Sequence, residues 1–132
     1  MANTFHKEER LSGVKVFEDL MKSGSSFFVH PFRIIWMPVK EEQTYPARVA
    51  FAVSKRNFKS AVKRNRIKRM LREAYRLHKQ ELYSGLELKS VKIVLLYVYT
   101  QKELPVRTEV EGKIILSLQR LKKAVDAAGK SD

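Results

Sequence analysis

Hydrophobic positions change period several times along the chain. Over residues 14–22, Val14, Phe17, Leu20 and Met21 recur at helical spacing, and Ser23 and Gly24 end the run, which predicts a short amphipathic helix. Residues 27–39 mix aromatic and branched side chains (Phe27, Phe28, Val29, Phe32, Ile34, Ile35, Trp36), and residues 47–54 continue in that style after a turn-like stretch. The two runs predict an antiparallel strand pair, with Pro31 marking a bend or bulge in the first. From about residue 59 to 83 the period is helical again. At ~100° per residue, Ile67, Met70, Leu71, Ala74, Tyr75, Leu77, His78 and Leu82 share one side. Lys68, Arg69, Arg72, Arg76 and Lys79, with Asn65, fill most of the opposite arc, so one helix has a core face and a cationic face. Residues 92–100 are almost continuously apolar, the pattern of a central strand buried on both sides. Residues 110–125 return to helical spacing, and the ends, about 1–9 and 127–132, are expected to fray. The order α-β-β-α-β-α over a single domain, 1–132, predicts an α+β sandwich with helices on a small sheet.

Composition supports a folded domain: 132 residues with 44% hydrophobic suit one core rather than a disordered basic tail. The longest apolar stretch, Ile93 to Tyr99, is far short of the ~20 residues that a membrane-spanning helix needs. No membrane partner is expected. The first residues lack the layout of a signal peptide and there is no cysteine, so the expected location is cytoplasmic. Lys and Arg number 27 against 14 Asp and Glu, a net charge of +13. Between residues 54 and 79 there are 11 basic residues and one acid, Glu73, which places +10 of the +13 there and leaves a surplus of +3 elsewhere. A one-sign block inside a folded domain repels itself unless a polyanion neutralises it, which favours nucleic acid over an acidic protein or a membrane surface.

Protein-borne catalysis finds little support. His6, His30 and His78 have no second ligand at a metal-binding spacing, and His78, on the apolar side of the long helix, is expected in the core. None of the glycine pairs forms a phosphate loop. The acid pairs Glu8/Glu9, Glu18/Asp19 and Glu41/Glu42 fit surface solubility better than a two-carboxylate site. The stretch from Arg64 to Glu73 is different in kind. Arginine forks bind phosphate bidentately and stack on bases, and the Asn65 amide both donates and accepts, a combination suited to structured RNA. Asn65 is a poor helix former, so it either lies in the first turn or has a polar partner. Phe17 and the strand aromatics either fill a core or line a groove where unpaired bases stack.

These residues carry a resemblance. Arg10-Leu11, then Phe17, then Val53-Ser54-Lys55-Arg56, then the run from Ala61 through Arg64-Asn65-Arg66 to Arg76 closely resemble the protein subunit of bacterial ribonuclease P. The resemblance runs in one order from about Arg10 to Leu121. It implies the ribosomal protein S5 domain 2-like fold, with the basic helix joining parallel strands by a left-handed βαβ crossover. It also implies an accessory role in endonucleolytic removal of the 5′ leader of precursor tRNA, with catalysis in the RNA subunit and Mg²⁺ held mainly by that RNA. Its implied partners are the catalytic RNA, contacted by Arg64, Asn65, Arg66, Lys68, Arg69 and Arg72, and the precursor tRNA. The leader would lie between the first helix and the sheet, at Phe17, Met21, Lys55 and Arg56. The chain departs from the family pattern in three places. Met21 stands where a second aromatic is common, Ala50 or Phe51 where a glycine is common, and the loop from Asn57 to Ser60 is one residue longer. Two other readings remain at this level: a ribosome-associated or DNA-binding protein using the same helix, and a protein-only nuclease, which would need clustered carboxylates or histidines.

Overall fold

The computed structural model describes residues 4–40 and 43–130. The Glu41/Glu42 pair lies outside the described residues. After a 3₁₀ turn at Lys7–Glu9 the elements are α1 (Val14–Ser23), β1 (Ser25–Val29), β2 (Phe32–Val39), β3 (Ala47–Val53), α2 (Ala61–His78), α3 (Gln80–Leu88), β4 (Lys92–Tyr99) and α4 (Arg107–Lys130). The four strands form one sheet in the order β1-β2-β4-β3. As the apolar run predicts, β4 is central, with Ile93, Val94 and Leu95 fully buried.

The strand partners differ from expectation in two respects. Residues 27–39 form no single bent strand: His30 and Pro31, joined by a cis peptide, turn the chain into the β1/β2 hairpin. β3 does not pair with β2. Both strands flank β4, β2 antiparallel with Pro38 opposite Ile93, and β3 parallel with Ala47 opposite Ile93. Each needs a neighbour that can be buried on both faces, and β4 is the strand whose sequence permits that. The parallel β3/β4 pair encloses α2 and α3, the crossover unit that the resemblance implies.

The sheet buries a different cluster on each face. On one, Phe32, Ile34, Trp36, Leu95 and Tyr97 pack against Ile67, Leu71 and Tyr75 of α2, Leu82 of α3 and Ile114 and Leu121 of α4. On the other, a smaller cluster of Leu11, Leu20, Ile35, Val94 and Leu96 lies under α1. Gly13 starts α1 at φ +108°, a conformation that disfavours any side chain. Gly24 ends it against Ile35, where a Cβ would come within 2.4 Å of the Leu20 carbonyl oxygen and 2.9 Å of Ile35 Cγ2.

The long helical run is two helices, and their junction corrects several expectations. Lys79, expected on the cationic arc, is 3% exposed between α2 and α3. Its ammonium donates to the Thr4 carbonyl and to the Glu9 carboxylate. Glu9, expected on the surface, is fully buried; it also accepts from the Tyr83 hydroxyl at 2.7 Å and the His6 amide at 2.6 Å. This pair draws residues 4–9 onto the α2/α3 junction, with Phe5 edge-on to Tyr75. At the other end α4 runs to Lys130. His78 is half-buried rather than in the core, because Glu111 of α4 meets its Nε2 at 3.0 Å, and Leu77 is exposed.

Candidate nucleic-acid interface

Helix α2 is oriented by its apolar face. Ile67, Leu71, Ala74 and Tyr75 are buried against the sheet, and the Ser60 hydroxyl caps the first turn by accepting the Lys63 amide at 3.3 Å. That packing turns Asn65, Arg66 and Arg69 to solvent and leaves Arg64, Lys68 and Arg72 half-buried at the margins. Among the described residues, none of these six makes an ion pair with a carboxylate. The one acid of the segment, Glu73, is held by Arg76 at 2.6 Å, and the hydrogen bond from that guanidinium keeps the Glu73 carboxyl below its ordinary range. Asn65 is the fifth residue of the helix, past the first turn, and its exposed amide has no side-chain hydrogen bond among the described residues, so it meets neither expectation: water solvates the amide in place of a protein partner.

Two of the arginines have further roles. Arg64 Nη1 donates to the carbonyls of Phe58 at 2.8 Å and Lys59 at 3.0 Å, so it also fixes the loop that leads into α2. Arg72 has its pKa lowered, first by burial and then by the charges of Arg10 and Arg69. Arg10 thus joins the cationic face, although the sequence shows it only as part of a signature 62 residues away from Arg72. It is brought there by backbone pairing: Arg10 forms a parallel bridge with Val49, Leu11 donates to the Val49 carbonyl at 2.9 Å, and the Arg10 guanidinium stands 5.6 Å from the centre of the Phe5 ring. The three guanidiniums share one stretch of surface, with Glu73 at its border beside Arg66 and Arg69.

The second set of residues lies across the β3 edge, on the sheet face that carries α1. Phe17 is half-buried against the cluster of Leu20, Ile35 and Leu96, with Ala50, Ala52 and Val98 at the same margin. Met21 is 63% exposed on the same stripe of α1 as Phe17 and Val14. Lys55 and Arg56 are exposed in the turn that follows β3, where the Arg56 amide donates to Ser54 Oγ at 3.0 Å. That turn connects β3 to α2, whereas α1 packs on the other face of the sheet. Ala50 and Ala52 have small side chains and, like Phe17, are half-buried against this cluster. No group of three or more His, Cys, Asp or Glu side chains that could hold a metal ion occurs among the described residues. The cationic face is a poor fit for a divalent cation on its own.

The sequence profile of the Ribonuclease P family matches residues 5–111 of the chain. The Ribonuclease P protein component of Porphyromonas gingivalis is 33% identical over 115 residues, spanning 87% of this chain and 84% of the relative. That of Chlorobium phaeobacteroides is 33% identical over 116 residues, 78% of this chain and 77% of the relative. Among solved structures, the RNase P protein of Staphylococcus aureus superposes with a TM-score of 0.70 at 23% identity, covering 86% of this chain and 95% of that one. The RNase P protein from Thermotoga maritima gives 0.68 at 21% identity, covering 85% and 96%.

Proposed function

From the premise that this chain belongs to the ribonuclease P protein family, and so takes part in 5′ processing of tRNA as a protein component of that endonuclease, we propose a division of labour between its two faces. The cationic face of α2 binds the catalytic RNA. Arg66, Arg69 and Arg72, with Arg10 beside them, take phosphate oxygens as bidentate forks, while Asn65 reads a neighbouring polar edge. Lys68 adds a point charge at the margin. Arg64, tied to the loop carbonyls, holds the start of the helix in place as well as presenting charge. The α1 face takes the 5′ leader of precursor tRNA: Phe17 and Met21 offer apolar surface to unpaired bases, and Lys55 and Arg56 meet the backbone where it passes round the β3 edge. Chemistry at the scissile phosphodiester belongs to the RNA, which also holds the Mg²⁺; no step is assigned to a side chain of this protein.

The observation that carries this reading is the set of six polar and cationic residues on α2, one of them Asn65, held outward by a buried apolar face and left without carboxylate partners. The test is single-turnover cleavage of a precursor tRNA at low Mg²⁺ by ribonuclease P RNA alone, the protein alone and both together. Cleavage in the mixture only is the expected result. Cleavage by the protein alone would place catalysis in its side chains, and no stimulation of the RNA would remove the accessory role.

A further inference from the structure

Arg10 reaches the cationic face from outside α2, and its place there needs a cause. Its guanidinium has no carboxylate partner among the described residues, and it stands close enough to Arg72 for the two charges to repel. Left to itself the side chain would turn away into water. What holds it is the backbone on either side and a ring beneath. After it, the Leu11 amide donates to the Val49 carbonyl at 2.9 Å, and Arg10 itself bridges Val49. Beneath it, the Phe5 ring centre lies 5.6 Å from the guanidinium and 6.1 Å from the Tyr75 ring, which belongs to α2 one turn beyond Arg72. Before it comes Glu9, fully buried.

Glu9 and Lys79 converge on the N-terminal segment. One Glu9 oxygen accepts from the Lys79 ammonium and, at 2.7 Å, from the Tyr83 hydroxyl, while the other accepts from the His6 amide at 2.6 Å. The ammonium also donates to the Thr4 carbonyl and lies 5.4 Å from the centre of the Phe5 ring. Tyr75 donates to the Tyr83 hydroxyl at 3.1 Å, so α2, α3 and the segment share one hydrogen-bonded chain. Withdrawing two charges from water costs much of what their attraction returns, so the pair adds little net stability compared with apolar packing. Its distinctive effect is to fix where residues 4–9 lie.

We propose that Glu9 and Lys79 are positioning residues for RNA binding: their buried pair seats the N-terminal segment so that Arg10 stands beside Arg72 as a phosphate ligand that α2 alone does not supply. This rests on the reading that the α2 face binds the catalytic RNA. It makes a buried carboxylate necessary for affinity to a polyanion, and the sign of its effect is diagnostic. Removing a negative charge from a protein ordinarily strengthens polyanion binding; removing this one should weaken it.

The experiment measures equilibrium affinity of the full chain for ribonuclease P RNA at 50 mM and 200 mM salt, for Arg69→Ala, Arg10→Ala, Glu9→Gln and the last two combined, with circular dichroism to follow folding. Loss of one phosphate contact reduces the salt slope by about 0.7–0.9, so the affinity ratio of wild type to Arg10→Ala should shrink about threefold between the two salt concentrations. Glu9→Gln should reproduce that change, and in the Arg10→Ala background it should weaken binding no further, although the urea midpoint falls in both backgrounds. Phe5→Ala removes the ring under Arg10 without stranding a buried charge; it should behave as Glu9→Gln does, and it carries the test if Glu9→Gln does not fold. If Arg69→Ala leaves affinity unchanged, the α2 reading itself fails. If Arg69→Ala weakens binding while Arg10→Ala, or the folded Glu9→Gln or Phe5→Ala variant, does not, only the positioning role is overturned. An equal loss from Glu9→Gln or Phe5→Ala with and without Arg10 overturns it too, because it marks a general disturbance of the fold.

Discussion

Replacing Arg66 and Arg69 together by Ala tests the α2 face most directly, because both side chains are exposed and neither has a carboxylate partner among the described residues. Each phosphate neutralised by a cation releases counterions, so log K falls with log[salt] by about 0.9 per contact on duplex RNA-like polyanion and about 0.7 on single strands. Two lost contacts reduce the slope by about 1.4 to 1.8. Between 50 mM and 200 mM salt, a fourfold change, the affinity ratio of wild type to variant should shrink by roughly 7- to 12-fold. The assay is filter or fluorescence titration of ribonuclease P RNA across that range, with thermal unfolding of the free protein as the control. Stability should stay within about 0.5 kcal/mol, the usual range for exposed sites. Arg64→Ala is the informative contrast. Since this guanidinium is engaged by the Phe58 and Lys59 carbonyls, its loss should cost about 1–2 kcal/mol of stability and change the slope by less than one unit. A double variant that weakens binding equally at all salt concentrations would refute the counterion argument, and with it the placement of phosphates on this face.

Other consequences concern the interior. Glu9→Gln or Lys79→Met leaves one buried charge without its partner and should cost about 3–5 kcal/mol, a shift of roughly 2 M in the urea midpoint at ~2 kcal/mol/M, whereas the double variant should lose less than the sum of the two. Single losses below about 1 kcal/mol would show that water reaches the pair. Burial is the main cause that raises the hydroxyl pKa of Tyr75, Tyr83 and Tyr97, which stay neutral in the folded state past the ordinary value near 10. Groups with raised folded pKa values contribute stability that is complete below pH ~10 and is lost as pH rises above it, at about 1.4 kcal/mol per unit for each tyrosine, or ~4 kcal/mol for the three. Base titration should therefore show tyrosinate absorbance and loss of helical circular dichroism rising together. Gradual ionisation of all five tyrosines near pH 10 without unfolding would contradict the buried hydroxyls.

What could be read in the sequence was whatever is encoded locally. The apolar run of β4 announces a strand buried on both faces, and the 3.6-residue period of α2 separates Ile67, Leu71 and Tyr75 from Asn65, Arg66 and Arg69. What escaped was pairing at a distance. Nothing in residues 47–53 says that their neighbour is β4 and not β2, since alternation fixes the face of a strand but not its partner. Glu9 and Lys79, 70 positions apart, each look like ordinary surface charges, and only the folding of the chain between them makes them a buried pair. Arg10 reaches Arg72 for the same reason, through a bridge to Val49 that has no local signature. The candidate interface was legible on α2, where it is one helix face, and only partly on the α1 side, where it is assembled from α1, three strands and a turn.

The same contrast explains how a helix so highly charged is compatible with the folded state. Lys63 with Arg66, Arg64 with Lys68, Arg66 with Arg69, Arg69 with Arg72, Lys68 with Arg72 and Arg72 with Arg76 are like-charge pairs at i,i+3 or i,i+4. At about 0.2–0.5 kcal/mol each, their repulsion amounts to roughly 1–3 kcal/mol. Burial of Ile67, Leu71 and Tyr75 contributes about 1.5–3 kcal/mol apiece, so the core face outweighs the charge and α2 is set in place on the sheet. The arginines are thereby presented in a fixed geometry, and the ordering cost that a flexible basic tail would bear on binding has already been met by folding. Binding then removes the repulsion as well: a polyanion seated on this face stabilises the folded protein by mass action, and the two effects reinforce each other along one helix.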